Sequence, residues 1–440
     1  MARTKDKTLT LEEKLEQALV PVEEQPYEVP ENWCWCHIAD VLHLQAGKNI
    51  SAKNISPQQD QAHPYPCFGG NGIRGYVASY NHDGDYPIIG RQGALCGNLN
   101  WASGQFYATE HAVVTTCSVA VFNRWAYFIL GYMNLNQYAT ATAQPGLAVG
   151  NVEQLPLALC SLPEQHRIVD RIERLFAELD EAEERAQAVI DSYEGRRASI
   201  LHRAFTGELT EEWRQSHPDS SVQDVTIASV CRSLKYGTAK KSKASGEIVV
   251  LRMGNLQNGE IDWTDLAYSD DAEDNEKYKL FPGDVLFNRT NSAEKVGKTS
   301  IYRGEHAAIY AGYIIKLDYD HSILTGDYLN YMLNTPETKE YCNQVKTDGV
   351  NQSNINAKKI GAFIIPLRGM AEQAEIVRIL DSLLTKESAA KAAAERAIAQ
   401  IDTMKKSILA RAFRGELGTN DPEDEPAINL LKRTLTNPEV

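Results

Sequence analysis

The sequence predicts an α+β protein built as a pseudo-two-fold tandem repeat. Two mixed α/β-strand globular units are separated by two long helices, which pair antiparallel as a coiled coil. Three observations carry this reading. A 47-residue stretch occurs twice, at 163–209 and 371–417, with 17 identities, no insertion or deletion, and a constant offset of 208. Each copy repeats apolar residues at alternating steps of four and three, the spacing of a coiled-coil seam. Each copy also follows a stretch rich in Gly, Asn, aromatic and β-branched residues, interrupted by turn pairs such as Asn71-Gly72, Asp83-Gly84 and Pro145-Gly146.

The first seam runs through Ile168, Ile172, Leu175, Leu179, Ala182, Ala186, Val189 and Tyr193. The second runs through Ile376, Leu380, Leu383, Ala390, Ala394, Ala397, Ile401, Met404 and Ile408, with Glu387 interrupting it. Gly207 and Gly415 stand where a helix would end. A helix of about 40 residues is roughly 60 Å long, far beyond an ordinary globular helix, and a fixed length of that kind suits a spacer. The plainer alternative is two similar helices packed in one core.

Composition narrows the class. A chain of 440 residues accommodates two to four domains with sizeable cores. A hydrophobic content of 43% and a mean hydropathy of −0.39 fit a soluble globular protein. No apolar run approaches 18 residues and the N-terminus is polar, so a membrane span or a signal peptide is not expected. The eight Cys are scattered without paired spacing, which fits a reducing, cytoplasmic setting. The net charge of −14 is spread along the chain and, taken alone, argues against nucleic acid as a partner.

In chain order, residues 1–26 form a lead, with a short amphipathic helix at 8–20 placing Leu11, Leu15 and Leu19 in line before Pro21 and Pro26. Residues 27–160 form the first globular unit, with strands expected at 65–68, 73–77, 86–90, 106–107 and 112–122 and a buried helix at 125–138. The first rod occupies 161–209. A second globular unit spans 210–370, with strands at 247–253, 284–288, 299–302 and 309–317 and a helix at 326–345. The second rod occupies 371–417, and an acidic tail, 418–440, follows. The two units share little sequence, although both open alike (Ile38-Ala-Asp-Val41, Ile227-Ala-Ser-Val230) and both close on a Gly-x4-Asn turn (Gly146…Asn151, Gly349…Asn354). Antiparallel rods would make this a caliper with two different heads, offering two equivalent docking surfaces to a partner. A bipartite DNA site, with half-sites about 34 Å apart, matches such an object.

Motif matches elsewhere do not define an enzyme. Gly70-Asn-Gly72-Ile-Arg-Gly75 fits a dinucleotide fingerprint, but a strand follows where a helix should offer its N-terminus to phosphate. Val296-Gly-Lys-Thr299 resembles the end of a P-loop, yet Ser292 stands at the first Gly position and a strand again follows. Cys34-Trp-Cys36-His37 lacks a second ligand pair, and the ten His are dispersed. The chain reads as non-catalytic, with no metal site and no cofactor of its own.

What remains are polar loops suited to base edges, where Arg and Lys match guanine and Asn and Gln match adenine. In the first unit these are Asn71, Arg74, Arg91 and Gln92. In the second, Lys235, Lys240, Lys241 and Lys243 form a basic loop suited to phosphate, and Arg252, Asn255, Arg289, Thr290, Asn291 and Lys298 flank predicted strands. Singly, each is more readily an ordinary solvated residue. As a set, Phe287-Asn-Arg-Thr-Asn-Ser292 is the strongest.

The chain resembles the specificity subunit of type I restriction–modification systems. The resemblance lies in Leu162-Pro-Glu-Gln-His-Arg-Ile-Val169 with Ser199-Ile-Leu…Ala-Phe-Thr-Gly-Glu-Leu-Thr-Glu-Glu-Trp213, and in their second copies, Ala371-Glu-Gln-Ala-Glu-Ile-Val377 and Ser407-Ile-Leu-Ala-Arg-Ala-Phe-Arg-Gly-Glu-Leu417. Tyr65-Pro-Cys-Phe-Gly-Gly-Asn-Gly-Ile-Arg-Gly75 and Pro282-Gly-Asp-Val-Leu-Phe-Asn-Arg-Thr290 are similar to segments of that family's target-recognition domains. The resemblance covers about 28–417 and implies two target-recognition domains, each reading half of an interrupted double-stranded DNA site, with the helices fixing the gap. It also implies docking of two methyltransferase subunits and of restriction (motor-nuclease) subunits. Adenine N6 methylation with S-adenosylmethionine, and restriction with ATP and Mg²⁺, would reside in those partners, and the methyltransferases would supply phosphate contacts and counterion release while this chain supplies base readout. Glu387 at a seam position departs from the expected pattern. Two rivals stay open: a helical adaptor that bridges two copies of a protein without binding DNA, and an enzyme built on Val296-Gly-Lys-Thr299.

Overall fold

Two helices dominate the chain because no proline interrupts either one: the first carries its single proline, Pro163, in its first turn, where no intrahelical N–H is needed, and the second carries none. They span Leu162–Thr206 and Met370–Ala412 and end before Gly207 and Gly415, whose φ angles of +90° and +73° only glycine adopts freely. The structure is a computed structural model and describes residues 9–140, 145–350 and 352–437. The start of the predicted lead (1–8), the end of the predicted tail (438–440) and part of the Gly349…Asn354 turn lie outside the described residues. The chain divides into two compact units, Met1–Arg185 with Ala397–Val440, and Ala186–Arg396. Each holds one globular part and a portion of both rods.

In the first unit, strand Cys34–His37 pairs antiparallel with Pro156–Leu159, so the globular part begins and ends side by side at the start of the first rod. An antiparallel sheet follows the order Leu42–Ala46, Ala112–Cys117, Tyr86–Gly90, Leu99–Ala102. A second sheet holds Gly72–Val77, Tyr65–Gly69, Gln105–Ala108 and His82–Asp83, with one parallel pair between Tyr65–Gly69 and Gln105–Ala108. The second unit repeats the plan. Val222–Thr226 pairs with Ile364–Arg368, and a four-stranded sheet follows the order Cys231–Tyr236, Ile314–Tyr319, Val285–Asn288, Thr299–Ile301. Ile248–Leu251 and Ala308–Tyr310 form the matching parallel pair. Val285–Asn288 is an inner strand buried at all four positions, its apolar Val-Leu-Phe run and the polar Asn288 alike. The two globular parts therefore share one fold despite their dissimilar sequences.

The repeat also extends further upstream than the helices. Ile38 N–H donates to the Leu155 carbonyl (3.0 Å) and Ile227 N–H to the Phe363 carbonyl (2.9 Å), acceptors that again stand 208 apart. Gly146 bridges Gln92, whereas Asn354 pairs with Thr290, so Gly146 corresponds to Asn354. This corrects the expected match of Gly146 with Gly349, which rested on a short turn pattern.

Several element boundaries also differ. The helix expected over 125–138 is Asn123–Tyr132, because Asn134 turns left-handed (φ 48°) and a single tight turn follows at Leu135–Tyr138. The helix expected over 326–345 is two, Gly326–Leu333 and Pro336–Val345, since Pro336 lacks an N–H and Thr335 caps the second. The strand expected at 309–317 breaks between Tyr310 and Ile314, and the strand expected at 112–122 stops at Cys117. The lead helix is Leu11–Ala18, and Leu19 is extended and bridges Cys36.

Within each unit the rods run antiparallel. In the first, Lys405 Nζ meets Asp180 at 2.6 Å, and Thr419, beyond the end of the second rod, reaches Glu164 at the start of the first. In the second, Arg196 Nε meets Glu387 at 2.7 Å, and Thr210 Oγ1 donates to Glu372 at 2.8 Å. The seam shifts by one residue from the expected pattern in the middle. Ala182, Ala390, Ala397 and Met404 are exposed, while Glu183, Glu387, Lys391, Ile398 and Lys405 turn inward. Glu387 is therefore a seam residue, half-buried and paired across the rods. The mid-rod contacts are largely polar, and apolar burial concentrates at the rod ends, at Ile168, Ile172, Ala412 and Phe413 in one unit and at Leu201, Ala204, Ile376 and Leu380 in the other.

The segment after the second rod is not a loose acidic tail. Helix Ala427–Thr436 packs on Leu11–Ala18, buries Ala427, Leu430 and Leu431 in the core of the first unit, and is preceded by Asp424, which pairs with Arg167 at 2.5 Å. Its pattern of small apolar steps is only ten residues long, too short to stand out beside the acidic run before it.

Candidate nucleic-acid interface

In both globular parts, a central strand ends in a loop that begins with an arginine. Arg91 N–H donates to the His111 carbonyl at 2.9 Å, and Arg289 N–H donates to the Tyr313 carbonyl at 3.1 Å. The Arg91 carbonyl accepts from Leu147 N–H, and the Arg289 carbonyl from Ile355 N–H, both at 2.9 Å. Each loop closes on a glycine of positive φ, Gly97 (+85°) or Gly297 (+93°), which donates back to Gly90 or Asn288. Arg91-Gln92 and Arg289-Thr290 are therefore counterparts, held by the same backbone bonds.

In the first unit, the tip of hairpin 65–77 lies against this loop. A side chain at Gly70 would press on the Gln92 carbonyl, and Asn98 donates to Asn71 Oδ1 at 2.9 Å. Asn71, Arg74 and Gln92 are exposed and Arg91 is half-buried. The hairpin tip with Asn71 thus meets the Arg91–Gln92 loop, joined by Asn98, while Arg74 is exposed on the same hairpin; sequence reading passed over Asn98 and the exposed apolar side chains of Ile73 and Leu95.

In the second unit, Arg289 lies over the Tyr236 ring, 4.6 Å from its centroid, while the Tyr236 hydroxyl accepts from Ala357 N–H at 2.9 Å. Thr290 Oγ1 accepts from Asn354 at 2.8 Å, and Asn291 Oδ1 accepts from Ser292 N–H. Exposed Lys241 and half-buried Tyr313 line a neighbouring hollow with Gly312. Burial pushes the Tyr313 phenol up, and the positive charge of Arg252 opposes that. Arg289 thus lies against Tyr236, and Lys241 and Arg252 lie near Tyr313, while Thr290 and Asn291 continue the Arg289 loop; sequence reading selected neither tyrosine.

Other predicted residues are engaged elsewhere. Asn255 is buried and spends its amide on Arg252 N–H and the Asp262 and Asp265 carbonyls, so it shapes a turn and cannot reach a base edge. Lys240 is paired with Asp271 and Asp274, Lys243 with Asp270, and Lys235 with Asp318, so the expected basic loop is neutralised. Arg252 pairs with Asp265 at 2.9 Å. Lys298 does not join the Arg289 group. It donates to Gln257 at 2.6 Å and lines a cavity of about 240 Å³ with Arg197 and Lys339, where burial and then Lys295 and Lys339 lower its pKa.

The motif matches take structural places. Gly70-Asn71-Gly72 is a hairpin tip, and Val296-Gly-Lys-Thr299 closes the Arg289 loop and enters strand Thr299–Ile301. Cys36 is fully buried in strand Cys34–His37, and burial pushes its thiol well up. Among the described residues, no group of three or more His, Cys, Asp or Glu is placed to hold a metal, and no helix is long and apolar enough to cross a membrane.

The chain thus carries two heads of one fold that display different side chains from equivalent loops. Residues 30–191 and 219–396 match the family described as type I restriction modification DNA specificity domain, and the chain belongs to that family. It is 48% identical to the type I restriction enzyme EcoprrI specificity subunit of Escherichia coli over 147 residues, 33% of this chain and 37% of that one. It is 28% identical to the EcoKI specificity subunit of Escherichia coli (strain K12) over 304 residues, 66% of this chain and 65% of that one. The chain thus spans less than two thirds of either relative. The HsdS subunit from Thermoanaerobacter tengcongensis shares the fold, with a TM-score of 0.60 at 18% identity over 90% of this chain and all of that one. A chain from a solved type I R-M system, covering 89% of this chain, reaches 0.65 at 18% identity.

Proposed function

We propose that this chain is the DNA sequence-specificity subunit of a type I restriction–modification enzyme and acts in the cytoplasm. Each globular part reads one half of a bipartite double-stranded site from its Arg91 or Arg289 loop and neighbouring hairpins. The paired rods set the unread gap. The chain scaffolds two adenine-N6 methyltransferase subunits, and restriction motor subunits where these are present. It supplies no catalytic group; S-adenosylmethionine, ATP and Mg²⁺ serve the partner subunits.

The observation that carries this reading is the shared fold of two heads whose equivalent loops differ in sequence. A scaffold alone needs no such pair, whereas two unlike half-sites do. The charge of −14 fits a division of labour in which methyltransferases contact phosphate and this chain contacts bases. Asn71, Arg74, Arg91 and Gln92, and Lys241, Arg252, Arg289, Thr290 and Asn291, are the proposed contacts; Lys240 and Lys298 would have to leave their present partners to join them.

The test is a strand-resolved map of adenine methylation in cells carrying this chain and its genomic-neighbour methyltransferase, compared with cells lacking this chain. A split motif, methylated on both strands and lost on deletion, is expected. An unchanged map with both proteins expressed would instead support the adaptor.

A further inference from the structure

We infer that Arg91 and Arg289 are counterpart readers, each addressing a guanine at the same place in the half-site taken by its own globular part. This rests on the proposed function and deepens it. The two loops differ in length and in almost every residue: Gln92-Gly-Ala-Leu95 follows Arg91, and Thr290-Asn-Ser-Ala293 follows Arg289. Yet each begins with arginine at the point where the chain leaves a central strand, and each arginine is fixed through its own N–H and C=O by the same two bonds. A backbone held in the same way in the same fold delivers its side chain to the same place on a ligand that docks in the same way. The flanking residues are then free to differ, and so can the remaining bases of each half-site.

Charge pairing separates these two arginines, together with Arg74 and Lys241, from several of their neighbours. Lys240, Lys243 and Arg252 each face an aspartate. Among the described residues, neither Arg91 nor Arg289 has a carboxylate within ion-pair distance. Arg289 instead lies on the face of Tyr236, and its one side-chain bond, to the Gly312 carbonyl, is long at 3.5 Å. A guanidinium stacked by its face keeps its edge for hydrogen bonding, and two parallel donors match the O6 and N7 acceptors of guanine in the major groove. Tyr236 is then a positioning residue for Arg289.

The experiment uses the full chain assembled with its methyltransferase and a panel of duplexes, each changed at one base pair of the methylated motif. Arg91→Ala should lose discrimination at one G·C pair in one half-site by about 5- to 150-fold, with the other half-site read as before. Arg289→Ala should do the same in the other half-site. The two relaxed pairs should stand at the same separation from the methylated adenine of their own half-sites. Arg→Lys at either position should keep overall affinity and retain only part of the discrimination, because an ammonium can reach guanine but lacks the planar pair of donors. Tyr236→Leu should weaken only the Arg289 pair, and Tyr236→Phe should restore it. Unchanged discrimination, relaxation at unmatched positions, or loss of binding to every duplex in both the Ala and Lys variants would overturn the inference. A wild-type complex with no bipartite preference would remove the proposed function itself, a result visible before any variant is made.

Discussion

Gln165 and Gln373, fully buried at the start of the two rods, make the same three hydrogen bonds. Gln165 accepts from Phe122 N–H at 2.7 Å and donates to the Ala120 and Cys160 carbonyls at 2.8 and 3.1 Å. Gln373 accepts from Thr325 N–H at 2.9 Å and donates to the Ile323 and Arg368 carbonyls at 2.8 and 2.7 Å. One amide thus ties the rod to the chain entering a globular helix and to the strand leaving the globular part. Neither acid nor leucine offers this set, because the site needs one acceptor and two donors. Gln165→Leu should destabilise the first unit, and Gln373→Leu the second, by roughly 2–4 kcal/mol each, since three buried backbone groups lose their partner. Urea unfolding followed separately in each unit would measure it, and a loss below about 1 kcal/mol would show that water replaces the amide.

The polar middle of the rods predicts a different response. Arg196 and Glu387 remain 34% and 24% exposed at the side chain, so their pair is partly screened and worth about 1 kcal/mol or less. Glu387→Ala should therefore cost about 1 kcal/mol. The double change Arg196→Leu with Glu387→Leu should be neutral or raise stability by about 1 kcal/mol, because an apolar contact replaces two partly desolvated charges. A marked loss in the double variant, seen as a lower urea midpoint, would mean that the ion pair fixes the rods' register.

These two cases show what the sequence made legible. The rods and their pairing were readable because 17 identities recur at one offset over 47 positions, which no local propensity argument could match. Their mid-rod register was not, because small alanines fit either side of a seam and a half-buried Glu or Lys looks like solvent surface until its partner is known. The common fold of the heads was hidden for the reason that makes it useful: backbone bonds at Arg91 and Arg289 specify no side chain. Strands Cys34–His37, Pro156–Leu159, Val222–Thr226 and Ile364–Arg368 went unread because each is four or five residues long and pairs across more than a hundred residues. Of the candidate site, the Arg91 and Arg289 loops were identifiable from glycine-rich and polar context. The neutralising aspartates around Lys240 and Lys243, and the burial of Asn255, depend on tertiary neighbours and left no local trace.

The junction of the first rod with the docked C-terminal segment carries opposed pH responses. Burial pushes the Asp424 carboxyl up, but hydrogen bonds from Arg167 and Ser161, with the arginine's charge, outweigh it and hold the group below its ordinary value. Glu164 is raised by burial, opposed by the bond from Trp33 and the charge of Arg167. A lowered carboxylate contributes stability above its unfolded pKa of about 3.9, and that contribution is lost as pH falls through the folded value. A raised one favours the folded state below about 4.3, and the benefit is lost as pH rises through its folded value. Asp424→Asn should thus weaken the first unit at pH 7 and converge on wild type in strong acid. Glu164→Gln should gain on wild type as pH rises above about 4.3. Urea midpoints taken from pH 3 to pH 7 would check both, and parallel curves for either variant would refute that assignment.

Under the proposed function, the rods act as a ruler, and their pairing dictates how the ruler must be cut. Removing 178–184 from the first rod alone also removes Asp180 and Glu183, the partners of Lys405, and slides every later residue past its neighbour by a heptad. That single deletion should destabilise the chain and shorten or abolish the tolerated gap. Removing the facing heptad, 400–406, as well takes Lys405 with its partners and restores the pairing on both sides of the cut. Seven residues at 1.5 Å each are about 10 Å, close to three base pairs. The paired deletion should keep its stability and methylate duplexes whose gap is shorter by about three base pairs. The check is methylation across duplexes that differ only in gap length. An unchanged optimum in a folded paired variant would mean that the gap is set by the methyltransferase subunits and not by these helices.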